Sequence, residues 1–338
     1  MQISIEDFLQ KSKNLPIIDV RTPAEFMKGH IPGAINIPIF SNEERAIVGT
    51  KYKQESRDTA MAEAMYFVSQ NVDFYLDEIA KLKIPTKKIL IHCWRGGMRS
   101  GSMARLFAAD GYDVQILQGG YKSYRNLVLQ SFEQPLRLLI IGGMTGSGKS
   151  DVLKEIENLG EQIVDLEGIA HHKGSAFGAL GQLPQPTVEQ FENDLHKAFS
   201  KLDLSEPIWL EDESQLVGKV RIPKPLFEQI RAAKVYKLEL SKEYRIKRLV
   251  TEYTDFDKKL INTSIQNISR RLGGLAAQHA VNAIEKNDFS TAIDIVLSYY
   301  DKTYSYGLSK REGQTVIPVK LDEDDPKKTA KLLIGREL

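Results

Sequence analysis

The stretch of residues 136–156, LRLLIIGGMTGSGKSDVLKEI, most constrains how this chain folds. It matches G-x-x-x-x-G-K-[ST], with an apolar run before the motif and a helix-forming run after it. In that context the backbone amides of the loop bind phosphates at a helix N-terminus. We expect Lys149 to contact the terminal phosphate, and Ser150 is a candidate to offer its hydroxyl to Mg²⁺. The predicted phosphate-binding residues are Gly143, Gly146, Ser147, Gly148, Lys149 and Ser150.

A second loop, IHCWRGGMRSGS at residues 91–102, holds the only cysteine of the 338 residues. Its glycines let successive N–H groups turn inward, and a helix starting near Ser100 would point its positive end at the same place. The inward N–H groups, the positive helix end and the charges of Arg95 and Arg99 together favour the thiolate of Cys93, which is the reactive form of a cysteine. The apolar run KKILIHC places Cys93 at a strand end, where ligand sites of open α/β sheets lie. We therefore predict that Cys93, Arg95 and Arg99 are catalytic.

Composition narrows the class of protein. The chain is 42% hydrophobic and 27% charged with a net charge of +1, which is typical of a globular protein and excludes polyanion binding over its whole surface. A single cysteine cannot form an intramolecular disulfide and favours a reducing compartment. No apolar run is long enough to span a bilayer, and no leader pattern follows Met1. We expect a cytoplasmic protein without membrane contact.

The chain length predicts two domains, which we place at residues 1–130 and 136–338. The first domain begins with a β, α, turn, β pattern, continues through a charged helical stretch at 41–82, and contains the cysteine loop. The second domain starts at the phosphate-binding motif and has a helical C-terminal part. The predicted fold class is therefore α/β in both domains.

Two predicted strands of the second domain end in acidic residues, in EQIVDLEG and PIWLEDES. Acids beside a phosphate-binding loop can hold a metal ion or position a nucleophile, and the spacing leaves open which strand does so. His171 and His172 are adjacent, so on an extended chain they face opposite ways and make a poor metal pair. We expect them to contact substrate instead. The acidic candidates are Asp165, Glu167, Glu211, Asp212 and Glu213.

Positive charge is concentrated between Lys219 and Arg248. This segment has ten Lys or Arg against three Glu, a net charge of +7 in a chain of +1. Such asymmetry is typical of a local contact with a nucleic-acid backbone, although a solvated helix face gives the same count. We interpret the segment as a basic helical region. The predicted nucleic-acid contacts are Arg245, Lys247 and Arg248.

The first domain resembles a rhodanese domain. DVRTPAEFMKGHIPGAINIP, at 19–38, is similar to the motif with which that family begins, and Cys93 stands where rhodaneses carry sulfur as a persulfide. Five residues separate Cys93 from Arg99, one more than the sulfurtransferase pattern has. A wider ring suits a larger tetrahedral anion. The same letters fit the H-C-x₅-R-S loop of tyrosine and dual-specificity phosphatases, so the spacing alone leaves a phosphatase open.

The whole chain is similar to the tRNA 2-selenouridine synthase family. Members act on 2-thiouridine at the tRNA wobble position, first attaching a geranyl group from geranyl diphosphate to sulfur, then exchanging the geranylthio group for selenium from selenophosphate. The stretches that carry the resemblance are NEERAIVGTKYKQ (42–54), HCWRGGMRSGSMA (92–104), GGMTGSGKS (142–150), DLEGIAHHKGSAFG (165–178) and WLEDES (209–214).

The resemblance implies the partners and co-substrates. They are tRNA with a 2-thiouridine-type wobble base, geranyl diphosphate, selenophosphate and the enzyme that supplies it, with no tightly bound cofactor. Geranyl diphosphate would occupy the loop around Lys149, and selenium would be handled at Cys93. Three alternatives remain at this point: a tRNA thiouridine sulfurtransferase, a cysteine-dependent phosphatase with a nucleotide-binding domain, and a small-molecule kinase whose rhodanese half is a binding module.

Overall fold

The computed structural model describes residues 1–311 and 316–337. The chain divides into two compact units, Met1–Ser131 and Phe132–Leu338. Each unit is built around a parallel sheet with helices between its strands. The predicted α/β fold class is therefore confirmed. Among the described residues, no helix combines the length and the apolar character needed to cross a membrane.

The first unit has a five-stranded sheet in the order β1-β5-β4-β2-β3, with every pairing parallel. Four of the five residues of β4 and all three of β2 are buried, as expected of parallel strands covered on both faces. Because β4 is the central strand, the loop that follows it is flanked by strand ends on both sides. The strands are β1 (Gln2–Ile3), β2 (Ile17–Asp19), β3 (Ile35–Asn36), β4 (Lys88–His92) and β5 (Asp113–Leu117).

Seven helices complete this fully described unit. The predicted helical stretch at 41–82 is confirmed as three helices, α3 to α5. Two helices begin with a capping box, in which Thr22 pairs with Glu25 and Ser41 pairs with Glu44, each satisfying a backbone N–H of the other. The helices are α1 (Ile5–Lys11), α2 (Pro23–Lys28), α3 (Asn42–Gln54), α4 (Arg57–Gln70), α5 (Val72–Lys81), α6 (Met98–Ala109) and α7 (Gly120–Ser131).

The described part of the second unit has a five-stranded sheet in the order β12-β11-β6-β8-β7, again parallel throughout. Its central strand β6 is buried along its whole length and leads into the phosphate-binding loop. A short antiparallel pair, β9 and β10, lies apart from this sheet. The strands are β6 (Leu138–Gly143), β7 (Gln162–Val164), β8 (Ile208–Glu211), β9 (Leu216–Val217), β10 (Val220–Arg221), β11 (Lys234–Glu239) and β12 (Val316–Lys320).

The C-terminal helices of this unit form their own apolar cluster, which includes Leu249, Ile265, Ala280 and Val296. This cluster is the helical part that the sequence predicts. The helices are α8 (Lys149–Asn158), α9 (Leu166–Ala170), α10 (Val188–Phe199), α11 (Lys224–Ala232), α12 (Lys242–Tyr253), α13 (Lys258–Asn267), α14 (Ser269–Leu272), α15 (Gly274–Glu285), α16 (Phe289–Leu308) and α17 (Pro326–Ile334).

The interpretation of residues 219–248 as a basic helical segment is only partly correct. The segment contains α11 and the start of α12, but it begins with the short strand β10, and β11 runs between the two helices in the sheet, next to the central strand β6. A charge count does not register the buried alternate positions of this strand, among them Val235 and Leu238, which pack into the sheet core. The charges of the segment are therefore distributed over several faces of the unit.

A buried ion pair lies at the end of β2. Asp19 and Arg21 are 0% and 1% exposed, and Nη2 of Arg21 donates to Asp19 Oδ2 at 2.6 Å. The same nitrogen donates to the carbonyl oxygen of Gly29 at 2.7 Å, and the guanidinium lies 3.7 Å from the ring centre of Tyr121. Burial opposes ionisation of Asp19, but His92 and Arg21 outweigh it and lower the pKa of Asp19. The pair joins β2, α2 and α7 beneath the cysteine loop.

We expect Asp19→Ala to destabilise the first unit by about 3–5 kcal/mol, because it leaves the Arg21 guanidinium buried without a counter-charge. Hydrogen exchange of the β4 amides, followed by mass spectrometry, measures this loss as reduced protection. Glu78→Ala, which removes an exposed partner of Lys81, is the control and should leave protection near the native level. Equal protection in both variants would contradict the role given to the pair.

Candidate active sites

The cysteine loop begins directly after the central strand β4, and α6 starts five residues later at Met98 with Gly97 as its N-cap. The helix thus begins two residues before Ser100, close to the expected position. The loop packs against the first turn of α7, where Tyr121 N–H donates to the carbonyl of Cys93 at 2.8 Å. Gly120 has φ +61°, and a Cβ there would come within 2.4 Å of both Cys93 O and Gly96 N. The turn can approach the loop this closely only with glycine.

Cys93 is 3% exposed, and its Sγ lies 3.2 Å from the hydroxyl of Ser100. Burial alone would raise the pKa of this thiol. Hydrogen bonds from the Ser100 side chain and from the backbone amides of Ser100 and Gly97, together with the charge of Arg99, outweigh burial, so the pKa of Cys93 is lowered. The loop therefore favours the nucleophilic thiolate, as expected at a helix N-terminus.

The two arginines of the loop have different environments. Arg99 is held by Glu25 of α2, with Nη1 2.6 Å from Oε2 and Nη2 3.1 Å from Oε1. Glu25 also belongs to the capping box of α2, so it connects that helix to the cysteine loop. Arg95 is exposed. The geometry brings Arg99 into the field of the thiolate and leaves Arg95 at the surface.

His92 precedes Cys93 and is fully buried. Its Nε2 lies 3.7 Å from Asp19 Oδ2 and makes no hydrogen bond within the described residues. Burial lowers the pKa of His92 despite the opposing charge of Asp19. The buried ring packs against Phe8 and Tyr121.

The phosphate-binding loop follows the central strand β6, and α8 begins at Lys149 with Gly148 as its N-cap. Gly143, Gly146 and Gly148 all have positive φ, and a Cβ on Gly143 would lie 2.4 Å from Ser147 Oγ. The Nζ of Lys149 donates to Gly143 O at 3.3 Å, so the lysine folds back over its own loop. This is the strand, loop and helix arrangement that the motif requires for phosphate binding.

Three carboxylates gather around Lys149. Burial and Glu213 raise the pKa of Glu167 to about 8, and burial and Glu167 raise that of Glu211 to about 8. Burial raises the pKa of Glu213 to about 7 against the opposing charge of Lys149. Burial would lower the pKa of Lys149, but these acids outweigh it and raise the pKa. The sequence left open which of the two acidic strand ends lies beside the phosphate-binding loop. In the structure, acids from both strand ends lie in one cluster there.

The other two acidic candidates have structural partners. Asp165 is the N-cap of α9 and accepts the N–H of Gly168 at 2.7 Å. Asp212 accepts from Arg311 at 2.5 Å, and it lies 3.9 Å from Arg231. Asp165, Asp212 and Glu213 all line the cleft, but Glu213 interacts there with Lys149 and Glu167. Alternation along the chain after β8 explains why neighbouring acids have different surroundings.

The two histidines also separate. His171 ends α9 in the left-handed conformation, and its Nδ1 lies 2.9 Å from Pro184 O. His172 lines the cleft, and burial lowers its pKa. Across residues 1–311 and 316–337, no group of three or more His, Cys, Asp or Glu is placed to hold a metal ion. Of the two histidines that we expected to contact substrate, only His172 therefore lies in the cleft.

An open cleft of about 1700 Å³ surrounds the phosphate-binding loop. Its walls include Lys149, Glu167, Glu213, Lys247 and Arg271. This volume is larger than the usual few hundred to one thousand Å³ of a small-molecule site. The cleft has room for a diphosphate together with a nucleotide of a larger substrate.

The predicted nucleic-acid contacts do not form one surface. Arg245 is 4% exposed, pairs with Asp301 at 2.8 Å and donates to Thr145 O at 3.2 Å, so it supports the phosphate-binding loop from below. Arg248 pairs with Asp151 and Asp324. Lys247 is exposed and lines the cleft. Of the three, Lys247 is the residue whose charge faces solvent.

Sequence reasoning missed one contact of the loop. The hydroxyl of Tyr304 in α16 accepts the N–H of Gly143 at 2.7 Å and lies 3.5 Å from Asp212 Oδ2. These residues are 161 positions apart, and a tyrosine in a helix carries no local signal for such a contact. Only the tertiary packing of α16 against the end of β6 reveals it.

Comparison with known proteins agrees with both units. Residues 4–127 match the rhodanese-like domain, and residues 136–324 match the tRNA 2-selenouridine synthase AAA domain. The fold and its two loops thus define a rhodanese-like unit followed by a phosphate-binding AAA unit. A solved N-terminal domain from Clostridium difficile 630, of a protein described as ATP/GTP binding, is 40% identical, covers 38% of this chain and 99% of that chain, and has a TM-score of 0.36.

Full-length relatives give the particular family. The tRNA 2-selenouridine synthase of Shewanella denitrificans is 34% identical over 336 residues, covering 89% of this chain and 90% of the relative. That of Sulfurovum sp. is 33% identical over 340 residues, covering 89% and 91%. The chain belongs to the tRNA 2-selenouridine synthase family.

We expect Ser100→Ala to raise the pKa of Cys93, because the thiolate loses the hydroxyl hydrogen bond that offsets its burial. A pH titration of the thiolate by ultraviolet absorbance, with Cys93→Ser as the baseline, measures the midpoint; the chain's single cysteine makes the signal unambiguous. Ser102→Ala, on the same helix, is the matched control and should leave the midpoint in place. An unchanged midpoint in Ser100→Ala would show that this hydroxyl does not lower the pKa of Cys93.

Proposed function

We propose that this protein converts 2-thiouridine at the tRNA wobble position to 2-selenouridine in two steps, geranylation of sulfur and then exchange for selenium. Family membership supports the overall conversion. The division into two steps rests on the presence of two different loops in one chain. One loop holds Cys93, whose pKa is lowered, and the other is an anion-binding loop with Lys149 in an open cleft. The cytoplasm is the compartment we propose, because tRNA is the substrate.

The first step takes place at the phosphate-binding loop. The C–O bond of geranyl diphosphate breaks, a C–S bond forms to the thiouridine sulfur, and diphosphate leaves with the electron pair while the N3 proton of the base is released. Lys149 and the loop amides stabilise the charge that builds on the departing diphosphate. Nucleotide hydrolysis is not needed, because the donor brings its own leaving group.

The second step exchanges the geranylthio group. A C–Se bond forms at C2, the C–S bond breaks, and with one water the products are 2-selenouridine, geranylthiol and phosphate. Alkylation makes the sulfur a better leaving group than the original thiocarbonyl. We assign this step to the Cys93 loop, because its inward amides suit the tetrahedral selenophosphate anion. Once selenium is bonded to C2, the Cys93 thiolate attacks phosphorus, so that a P–S bond forms while the P–Se bond breaks, and water then breaks the P–S bond and releases phosphate. A selenophosphate-supplying enzyme is the partner that this step requires.

Mg²⁺ is proposed as a companion of the diphosphate. Ser150 Oγ lies 3.2 Å from the Glu167 carboxylate, and neither carboxylate oxygen of the buried Glu211 has a hydrogen-bond partner in the described part of the chain. Mg²⁺ prefers such oxygens and commonly binds through one or two carboxylates plus substrate phosphates. Ser150 and Glu167 would hold the ion, which when bound supplies counter-charge for the diphosphate.

Binding of tRNA is assigned to exposed cations at the cleft. Lys247 and Arg271 are exposed and line it, so they are the side chains we propose for phosphate contacts. Arg245 and Arg248 are not proposed for this role, because Asp301, Asp151 and Asp324 already pair with them. Substitution of either arginine would disturb the phosphate-binding loop and the fold, rather than remove one phosphate contact.

The Cys93→Ala variant tests the division of labour. We expect it to lose selenium incorporation almost completely while it keeps geranylation of 2-thiouridine tRNA within a few-fold of the native level, since the thiolate serves only the second step. Nucleoside mass spectrometry of reacted tRNA measures both products. Loss of both activities in a variant that remains folded would show that the two steps share one site.

The Lys149→Ala variant tests the first step. We expect geranyl transfer to fall at least about a hundredfold, because an electrostatic donor aimed at a developing anion contributes on that order. Lys154→Ala is the control, since this exposed lysine lies on the same helix and also borders the cleft. Supplying pre-geranylated tRNA should restore selenium incorporation to the Lys149 variant. Normal geranylation without Lys149 would place the donor elsewhere.

A further inference from the structure

A small apolar cavity of about 30 Å³ lies within the helical cluster of the second unit. Helices α12, α13, α15 and α16 form its walls. Apart from Thr145 and two tyrosines, every side chain that lines it is apolar. Representative wall residues are Ile261, Ile265, Ile284, Val296 and Leu297.

This cavity adjoins the phosphate-binding cleft. Thr145, Leu249, Tyr253 and Tyr300 line both spaces, and Thr145 belongs to the phosphate-binding loop itself. A Cβ on Gly146 would lie 3.0 Å from Leu249 Cδ1, so the loop backbone rests directly on the cavity wall. An anion held by the loop is therefore beside an apolar entrance.

The chemistry of the wall selects the occupant. None of the buried polar atoms without a partner in the described residues belongs to a side chain that lines the cavity. A water molecule needs two to four polar partners to be stable in such a space, whereas apolar cavities stay dry and accept apolar groups. The hydroxyl of Tyr300 is already engaged, because it accepts the N–H of Ala176 at 2.6 Å.

We propose that this cavity binds the distal end of the hydrocarbon chain of the diphosphate donor and so selects donors by chain length. This inference rests on the proposed function, in which the donor is a prenyl diphosphate. A cavity of about 30 Å³ holds roughly two water-sized groups, so it takes the branched end of a chain while the remainder lies along Leu249 and Tyr253. The diphosphate stays at the loop, and the length of the chain decides whether its end reaches the cavity.

The test compares the binding of donors that share the anion and differ in the chain. We expect the full-length protein to bind geranyl diphosphate at least tenfold more tightly than inorganic diphosphate, because each buried methylene adds roughly fourfold. Calorimetric titration without tRNA measures both affinities. Equal affinities in the native protein would overturn the proposal.

Two variants change the cavity in opposite directions. Ala292→Leu fills it from α16 and should remove most of the preference for geranyl diphosphate while affinity for inorganic diphosphate stays native. Ala232→Leu, at an exposed position of α11, is the matched control and should change neither affinity. Ile265→Ala enlarges the cavity and should shift the preference from geranyl towards farnesyl diphosphate by several-fold. An unchanged order of affinities in both cavity variants would overturn the proposal.

The outcomes separate this inference from the proposed function. If native protein geranylates tRNA but shows no dependence of affinity on chain length, the cavity assignment alone fails. If affinity depends on chain length and on the cavity variants, but no geranyl group reaches tRNA, the cavity assignment stands and the proposed function fails.

Discussion

The close approach of neighbouring atoms to a glycine backbone at the end of a central strand is the constraint on which both sites depend. β4 and β6 are each the middle strand of a parallel sheet, and each leads through glycines into a helix. Gly120 contacts the cysteine loop, and Gly143 lets Ser147 fold over the phosphate-binding loop. Because a Cβ at either position would collide with neighbouring atoms, the inward turn of the amides follows from the packing. The anion binding that we propose for both units therefore depends first on the backbone, and the side chains then adjust it.

The side chains give the two loops groups of opposite charge. Around Cys93, hydrogen bonds and Arg99 stabilise a negative group that the site itself provides. Around Lys149, the site provides a positive group among three acids whose pKa values are raised to about 7 to 8, which reduces their negative charge near neutral pH. Acids that are partly protonated offset less of the lysine charge. The second loop can therefore accept a diphosphate although its acidic residues outnumber its lysine, and the first loop presents its own nucleophile.

Sequence patterns predicted those features of the structure that depend on residues close together in the chain. The two strand, loop and helix motifs and the helices between 41 and 82 follow from local spacing, and the structure contains each of them. The contacts of Arg245 with Asp301 and of Tyr304 with Gly143 join residues 56 and 161 positions apart, and no local rule specifies such pairs. The charge count between 219 and 248 was correct, but it could not register that Arg245 and Arg248 already have carboxylate partners. Position in a fold, rather than residue type, decides whether an arginine is available to a ligand.

The same reasoning explains how a nucleotide-type loop can serve a different donor. The loop recognises phosphates through its amides and Lys149, and these groups are indifferent to what the phosphates are attached to. Selection must come from the surfaces that adjoin the loop. Here one neighbour is the polar cleft with Glu167 and Glu213, and the other is the apolar cavity behind Leu249. A purine ring would leave its polar edges unpaired against that apolar wall, whereas a prenyl chain loses nothing there. In the role that we propose, the helical cluster does more than complete the core, because it gives a general anion loop its preference for an apolar diphosphate.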